Sequence, residues 1–121
     1  EPWNTIWSRL IYRFLHHEPF DPNAIKWEIS SGGPLSCANS AMPWIVFERD
    51  RRRFVKNYPQ WSIQHVKLHT PFRYLLSGGF SMPGLVPYKS HRFLHFVEDC
   101  LEPFMPYLAM FASILLVRRS S

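Results

Sequence analysis

Proline constrains this sequence more than any other residue type. The 121 residues include 11 prolines against 5 glycines. Each proline lacks the backbone N–H that a helix interior or a central strand needs, and it pushes the preceding residue toward extended geometry. We therefore predict short helices and strands joined by rigid, irregular connections. The length is that of one domain, and residues 1–121 are interpreted as a single segment.

The composition excludes a disordered chain and carries a moderate excess of positive charge. Apolar residues make up 46% of the sequence and aromatic residues 17%, which requires a buried core. The net charge of +5 is concentrated in basic clusters at residues 49–53 and 118–119. A solvated face is the simplest explanation of such clusters, and a basic module that binds an anionic partner is the alternative. Because no nucleic-acid-binding motif is present, we predict no nucleic acid partner.

The cysteines and the most apolar stretch bear on the cellular compartment. Cys37 and Cys100 form no CxxC pair and no disulfide framework, which favours free thiols in a reducing compartment. Residues 107–117 are too few to span a bilayer, which needs about 20 apolar residues. The sequence starts at Glu1 with neither an initiator Met nor a signal-peptide pattern, which indicates that an upstream segment has been removed. We predict a cytoplasmic protein without a membrane span.

Two amphipathic helices are predicted in the first half of the chain. Residues 6–15 place apolar side chains in a stripe of helical period, and Asn4 or Thr5 can cap the first turn. Residues 50–58 are predicted as a short helix that Asp50 caps and Pro59 ends. Its inward-facing residues are predicted to be Phe54, Val55 and Tyr58.

A third helix is predicted from Ser90 and ends by Pro103 or Pro106. Apolar residues recur at i, i+3, i+4, i+7 and i+8, with acidic residues opposite. The apolar face, predicted to be buried, consists of Phe93, Phe96, Val97, Cys100, Leu101 and Phe104. The polar face consists of Glu98, Asp99 and Glu102.

Three segments read as strands, which makes the predicted fold class α/β. Residues 61–68 have imperfect alternation but suitable length and flanks. Residues 111–117 form a nearly continuous apolar run rich in β-formers, the pattern of a strand covered on both faces. Residues 44–47 are a short apolar run whose β-branched Ile45 and Val46 favour a strand.

Motifs for catalysis or metal binding are weak. His91 and His95 stand at i, i+4 on the third predicted helix, the spacing that lets two imidazoles reach one metal ion. No HExxH motif and no third ligand accompany them, so a small metal-binding protein is only an alternative. The sequence also lacks GxSxG, GxGxxG and GxxxxGK[ST] motifs.

Four runs of residues carry a resemblance to a known family. They are residues 17–22 (HEPFDP), residues 31–47 (SGGPLSCANSAMPWIVF), residues 69–79 (HTPFRYLLSGG) and residues 109–111 (AMF). Together they resemble the C-terminal part of a group of bacterial class I S-adenosylmethionine-dependent methyltransferases. Cys37 departs from the glycine that this pattern has between Ser36 and Ala38.

The resemblance implies a C-terminal fragment of a seven-stranded Rossmann-like methyltransferase sheet. Residues 61–68 would be the sixth strand, residues 111–117 the antiparallel seventh strand, and Glu1 would follow the fifth. The half that holds the cofactor would be absent, so S-adenosylmethionine is expected in the full-length enzyme and no cofactor in this fragment. The fragment is expected to be inactive alone and to self-associate through its exposed sheet edge.

The same resemblance implies a small-molecule methyl acceptor and a set of residues near it. The substrate-binding candidates are Glu1, His16, His17, Glu18, Asn39 and Arg73. Ligands of open α/β sheets lie beyond the carboxyl ends of the parallel strands, where Glu1 would lie. The His-His-Glu run follows the first helix in a proline-stiffened loop and could orient an acceptor or act as a base. Ordinary loop hydrogen bonding is the alternative for these residues.

Overall fold

The computed structural model describes residues 1–15, 19–28, 38–76 and 90–119, which form a mixed α/β structure. Its helices are α1 (Ile6–Leu15), α2 (Met42–Trp44), α3 (Arg51–Asn57), α4 (Arg73–Leu76), α5 (His91–Cys100) and α6 (Met105–Leu108). A π-helix (Ile45–Arg49) joins α2 to α3, and a 3-10 turn (Glu102–Phe104) precedes α6. The strands are β1 (Trp61–His69) and β2 (Phe111–Arg118). Within these ranges no helix exceeds 10 residues, and none is long and apolar enough to cross a membrane.

The two predicted strands at residues 61–68 and 111–117 are confirmed and pair with each other. They form an antiparallel ladder that runs from the pair Trp61–Arg118 to the pair His69–Phe111. The carboxyl end of β1 therefore lies beside the start of β2. Helices α4, α5 and α6 come between the two strands in sequence, and α6 contacts β1.

The first residues of the chain pair with the other side of β2. Pro2 forms an antiparallel bridge with Phe111. The Glu1 backbone nitrogen donates to the Ala112 carbonyl at 2.9 Å, and the Ala112 N–H donates back to the Glu1 carbonyl at 2.8 Å. Residues 1–3 and β1 are both antiparallel to β2, so they are parallel to each other and end at the same edge of the sheet.

Thr5 caps α1, whose predicted bounds are confirmed. Its hydroxyl oxygen accepts the Ser8 N–H at 3.1 Å, while the Ser8 hydroxyl oxygen accepts the Thr5 N–H at 2.8 Å. This reciprocal arrangement satisfies donors that a helix start leaves unpaired. The Thr5 hydroxyl also donates to the Ala109 carbonyl at 2.8 Å, which fixes α1 to the segment before β2. The core beside α1 consists of Ile11, Tyr12 and Met110 with Trp7, Phe20, Tyr74, Leu75 and Phe111 packed against them.

The strand predicted at residues 44–47 is wrong, because the structure is helical there. Pro43 lies in the first turn of α2, where the missing N–H costs nothing. The Ile45 N–H donates to the Ala41 carbonyl at 3.0 Å, and the Asp50 N–H donates to the Ile45 carbonyl at 2.8 Å. Ile45 is completely buried, so tertiary packing overrides the weak β-preference of its side chain.

Helix α3 has nearly its predicted bounds, but only one of its three predicted inward side chains is buried. Phe54 is buried, whereas Val55 and Tyr58 are exposed. The Phe54 ring lies 5.1 Å from the ring of Phe47 in the π-helix, in an edge-to-face contact. Helix α3 therefore packs mainly through the Phe54 ring, and Val55 and Tyr58 remain exposed to solvent.

Helix α5 forms where predicted, but its buried side chain is Glu98 of the predicted polar face, and the phenylalanines of the predicted apolar face are exposed. Phe93 and Phe96 are 66% and 65% exposed, while Glu98 is only 6% exposed. The Glu98 carboxylate is drawn inward because it accepts the backbone N–H groups of Phe72 and Arg73 at 3.3 and 2.9 Å. These charge-assisted hydrogen bonds at the start of α4 hold Glu98 inward, although the hydrophobic periodicity places it on the polar face.

The prediction that the last strand is covered on both faces is also wrong for the described residues. Ala112 near the start of β2 is buried, but Leu115 and Val117 are exposed. Residues 1–3 pair only with the beginning of β2. Beyond Ala112, the described chain places no strand along that edge of β2, so the apolar side chains of its second half remain open.

Candidate functional site

A cleft of about 460 Å³ opens beside the first residues of the chain, and we call it the N-terminal cleft. This volume is typical of small-molecule sites, which range from about 300 to 1,000 Å³. Its lining includes Glu1 and Pro2, which pair with the start of β2 on the side away from β1. The cleft is lined by Glu1, Pro2, Glu28, Ala38, Asn39, Ser40, Met42, Pro43, Val46 and Phe47.

The helical turn from Met42 to Phe47 forms the apolar wall of the cleft. Four of its residues line the cleft, and they form two pairs at i, i+4, the spacing that shares one helical face: Met42 with Val46 and Pro43 with Phe47. Ile45 lies on the other side, fully buried in the protein. The wider π-turn at this point is of a kind that recurs at functional sites.

Asn39 holds the opposite wall together. Its side-chain oxygen accepts the N–H groups of Asp21 and Ala41 at 2.9 and 3.1 Å, and its side-chain nitrogen donates to the Asp21 carbonyl at 2.7 Å. The Ser40 N–H donates to the Pro19 carbonyl at 2.9 Å. The amide of Asn39 therefore connects the segment after Pro19 to the entrance of α2.

Two arginines of the basic cluster fasten the same segment to the π-helix. Arg49 donates to Asp50 at 2.8 Å and to the Pro22 carbonyl at 2.7 Å. The Trp27 indole donates to Asp50 at 2.9 Å, and the Arg53 guanidinium lies 4.5 Å from the centre of the Trp27 ring. We call this group the arginine clamp. Asp50 lies at the N-cap position of α3, as predicted, but its carboxylate is taken by the clamp and makes no capping hydrogen bond.

The arginine clamp predicts a loss of stability in acid. Hydrogen bonds, first from Arg49 and then from Trp27, outweigh the effect of burial and lower the pKa of Asp50 to about 2. A depressed carboxyl pKa contributes stability above the unfolded pKa of about 3.9, and this contribution disappears as the pH falls toward 2. We expect Asp50→Asn to be less stable than the wild type at pH 6 and to lose less stability between pH 4 and 2 in urea titrations.

Asp99→Asn, at an exposed carboxyl outside the clamp, is the matched control. A wild-type acid dependence in Asp50→Asn would contradict the assignment.

A second, polar pocket of about 410 Å³ surrounds Arg73. Arg73 Nε lies 3.2 Å from a Glu98 carboxylate oxygen, and the guanidinium also contacts the His95 ring and the Thr70 hydroxyl. Thr70 has a φ of 57°, which is unusual for a β-branched residue and costs about 1–3 kcal/mol. These contacts join the turn after β1 to α5.

His69 ends β1 in this pocket, and the sequence did not single it out as a site residue. Its Nδ1 lies 2.7 Å from the Thr70 hydroxyl and its Nε2 lies 3.0 Å from the Ser113 hydroxyl. Partial burial, followed by the positive charges of the N-terminus and Arg73, lowers the pKa of His69. Both ring nitrogens of His69 therefore have a hydroxyl partner. The one available signal was its place at the head of the HTPFRYLLSGG run.

The structure brings together two of the six predicted site residues. Glu1 and Asn39 line the N-terminal cleft, and Arg73 lies in the polar pocket. The predicted residues His16, His17 and Glu18 lie outside the described residues. Glu28, Val46 and Phe47 line the cleft but were not predicted as site residues, because no sequence motif marks them.

The metal-binding alternative finds no support in the described residues, where no three His, Cys, Asp or Glu side chains come together to hold an ion. The side chain of His91 lies outside the description, and His95 contacts Arg73. Of the basic cluster, Arg49 and Arg53 have partners within the chain, while Arg51 and Arg52 are exposed.

In comparisons with protein families, curated proteins and solved structures, no family, protein or structure matches this chain.

Proposed function

We propose that this chain is the C-terminal, acceptor-pocket-forming segment of an S-adenosylmethionine-dependent methyltransferase, inactive on its own. The observation that carries the proposal is the pairing of residues 1–3 with β2 on the side away from β1. The resemblance implies this order, with an antiparallel seventh strand between the end of the fifth and the sixth. The agreement supports the proposal because neither the order nor the strand directions follow from the periodicity of the sequence.

The N-terminal cleft is the part of the chain that suits an acceptor pocket. It lies beside Glu1 and Pro2 and has a mostly apolar wall. The methyl group would come from S-adenosylmethionine held by the other half of the enzyme, which this chain lacks. The task of the cleft is then to hold the acceptor atom in line with that methyl group, since transfer depends largely on proximity and orientation.

The proposal predicts that filling the cleft blocks the acceptor but not the cofactor. Val46 lines the cleft and is only partly buried, so Val46→Trp can project into the space without disturbing the core. In the full-length enzyme, we expect kcat/KM for the acceptor to fall by at least about tenfold, because the acceptor can no longer reach its position. The dissociation constant for S-adenosylmethionine should stay at the wild-type value.

Val55→Trp, at an exposed position of α3, is the control for the added indole. Wild-type kcat/KM in Val46→Trp would exclude the cleft as the acceptor site. An equal loss in both variants would point to a general defect in folding.

A further inference from the structure

Among the described residues that line the N-terminal cleft, the ionisable side chains are both acidic. They are those of Glu1 and Glu28, and this part of the lining contains no Lys, Arg or His. The remaining lining residues are apolar, apart from Asn39 and Ser40. An apolar cavity with carboxylates at its rim attracts molecules that combine an apolar body with positive charge. This acidic rim contrasts with the net charge of +5 of the whole chain.

The carboxylates are available for a ligand, whereas the Asn39 amide is not. Both polar atoms of the Asn39 side chain are hydrogen-bonded to the backbone of Asp21 or Ala41. Within the described residues, Glu28 pairs with Lys26 at 3.8 Å, and the two side chains are 70% and 77% exposed. An ion pair with this separation and exposure contributes almost nothing. A cationic ligand group can therefore replace Lys26 at little cost.

We propose that the N-terminal cleft binds an apolar molecule that carries a cationic amine, with the apolar body against Val46 and Phe47 and the amine facing Glu1 and Glu28. This inference rests on the proposed function, and it names the class of acceptor that the cleft takes. It is a statement about binding, so it can fail while the methyltransferase proposal stands.

The test compares three probes of similar shape: 2-phenylethylamine, 2-phenylethanol and 3-phenylpropionate. Their affinities for the chain are measured by ligand-observed NMR titration at pH 7 and low salt. We expect the amine to bind about tenfold more tightly than the carboxylate, with the alcohol between them, since each exposed charge contact changes affinity about two- to fivefold. Addition of 0.5 M NaCl should reduce this difference.

Two sets of variants locate the effect. Glu28→Gln and Glu1→Gln should each weaken binding of the amine about two- to fivefold and leave the alcohol unchanged, whereas Glu102→Gln, at an exposed carboxyl away from the cleft, should change neither. Val46→Trp should abolish binding of all three probes. Equal affinities for amine and carboxylate, a preference that survives both Gln variants, or no binding of any probe would overturn the inference. Failure of the proposed function would instead appear as an absence of methyl transfer in the full-length enzyme.

Discussion

Glu98→Ala is expected to destabilise the protein by about 2–3 kcal/mol, somewhat less than the roughly 3–5 kcal/mol typical of breaking a fully buried ion pair. Glu98 is almost fully buried; its carboxylate accepts the Phe72 and Arg73 backbone N–H groups and forms an ion pair with the Arg73 side chain. Removing it leaves two amides at the start of α4 without an acceptor and an arginine without its partner. The lower value reflects the remaining access of Arg73 to solvent.

Urea unfolding of two further variants tests the cause. Glu98→Gln keeps a carbonyl oxygen for the amides but loses the charge, so its free energy of unfolding should lie between those of the wild type and Glu98→Ala. Glu102→Ala removes an exposed carboxylate from the same pocket and should change stability by less than about 0.5 kcal/mol. A Glu98→Ala variant as stable as Glu102→Ala would contradict this role of Glu98.

Self-association of the isolated chain is the second large effect that we expect. Phe93 and Phe96 are exposed on α5, and Leu115 and Val117 are exposed on β2. Contiguous apolar surface and open strand edges promote association between copies. Sedimentation velocity over a wide concentration range should show species larger than the monomer, and a hydrophobic dye such as ANS should bind.

Two variants distinguish the surfaces that cause association. Phe93→Ser combined with Phe96→Ser removes apolar area from α5 and should weaken association at least about tenfold if that face is responsible. Leu115→Lys places a charge on β2, the device by which natural sheets block edge pairing. Tyr58→Ser, at an exposed ring on neither surface, is the control. A wild-type chain that stays monomeric without dye binding would contradict the expectation.

Local sequence patterns predicted the helices and strands whose conformation depends little on contacts with distant parts of the chain. Helix α1 follows from its apolar stripe and from Thr5 as a cap, and β1 and β2 follow from β-rich runs of strand length. Proline correctly predicted short elements. The burial of Glu98 on α5 could not be predicted, because it depends on Glu98 meeting amides 25 and 26 positions earlier in the chain.

The candidate site was predictable only in part, for a similar reason. Glu1 and Asn39 came from the resemblance, and both line the N-terminal cleft. The cleft itself depends on the π-turn around Ile45. The short β-branched run at this point predicts a strand, but the burial of Ile45 in the core favours the helical conformation. The arginine clamp could not be predicted from the sequence either, because Arg49 and Arg53 were interpreted there as part of a solvated basic face.

Binding of S-adenosylmethionine tests the proposed function most directly. The proposal predicts that the reading frame continues upstream of the Glu1 codon, so residues 1–121 are compared with the longer chain that this frame would encode. Isothermal titration calorimetry should detect no saturable binding to residues 1–121. The longer chain should contain a Gly-rich strand–turn–helix and bind the cofactor with micromolar affinity. Saturable micromolar binding to residues 1–121 alone, or an upstream sequence without that motif and without cofactor binding, would contradict the account.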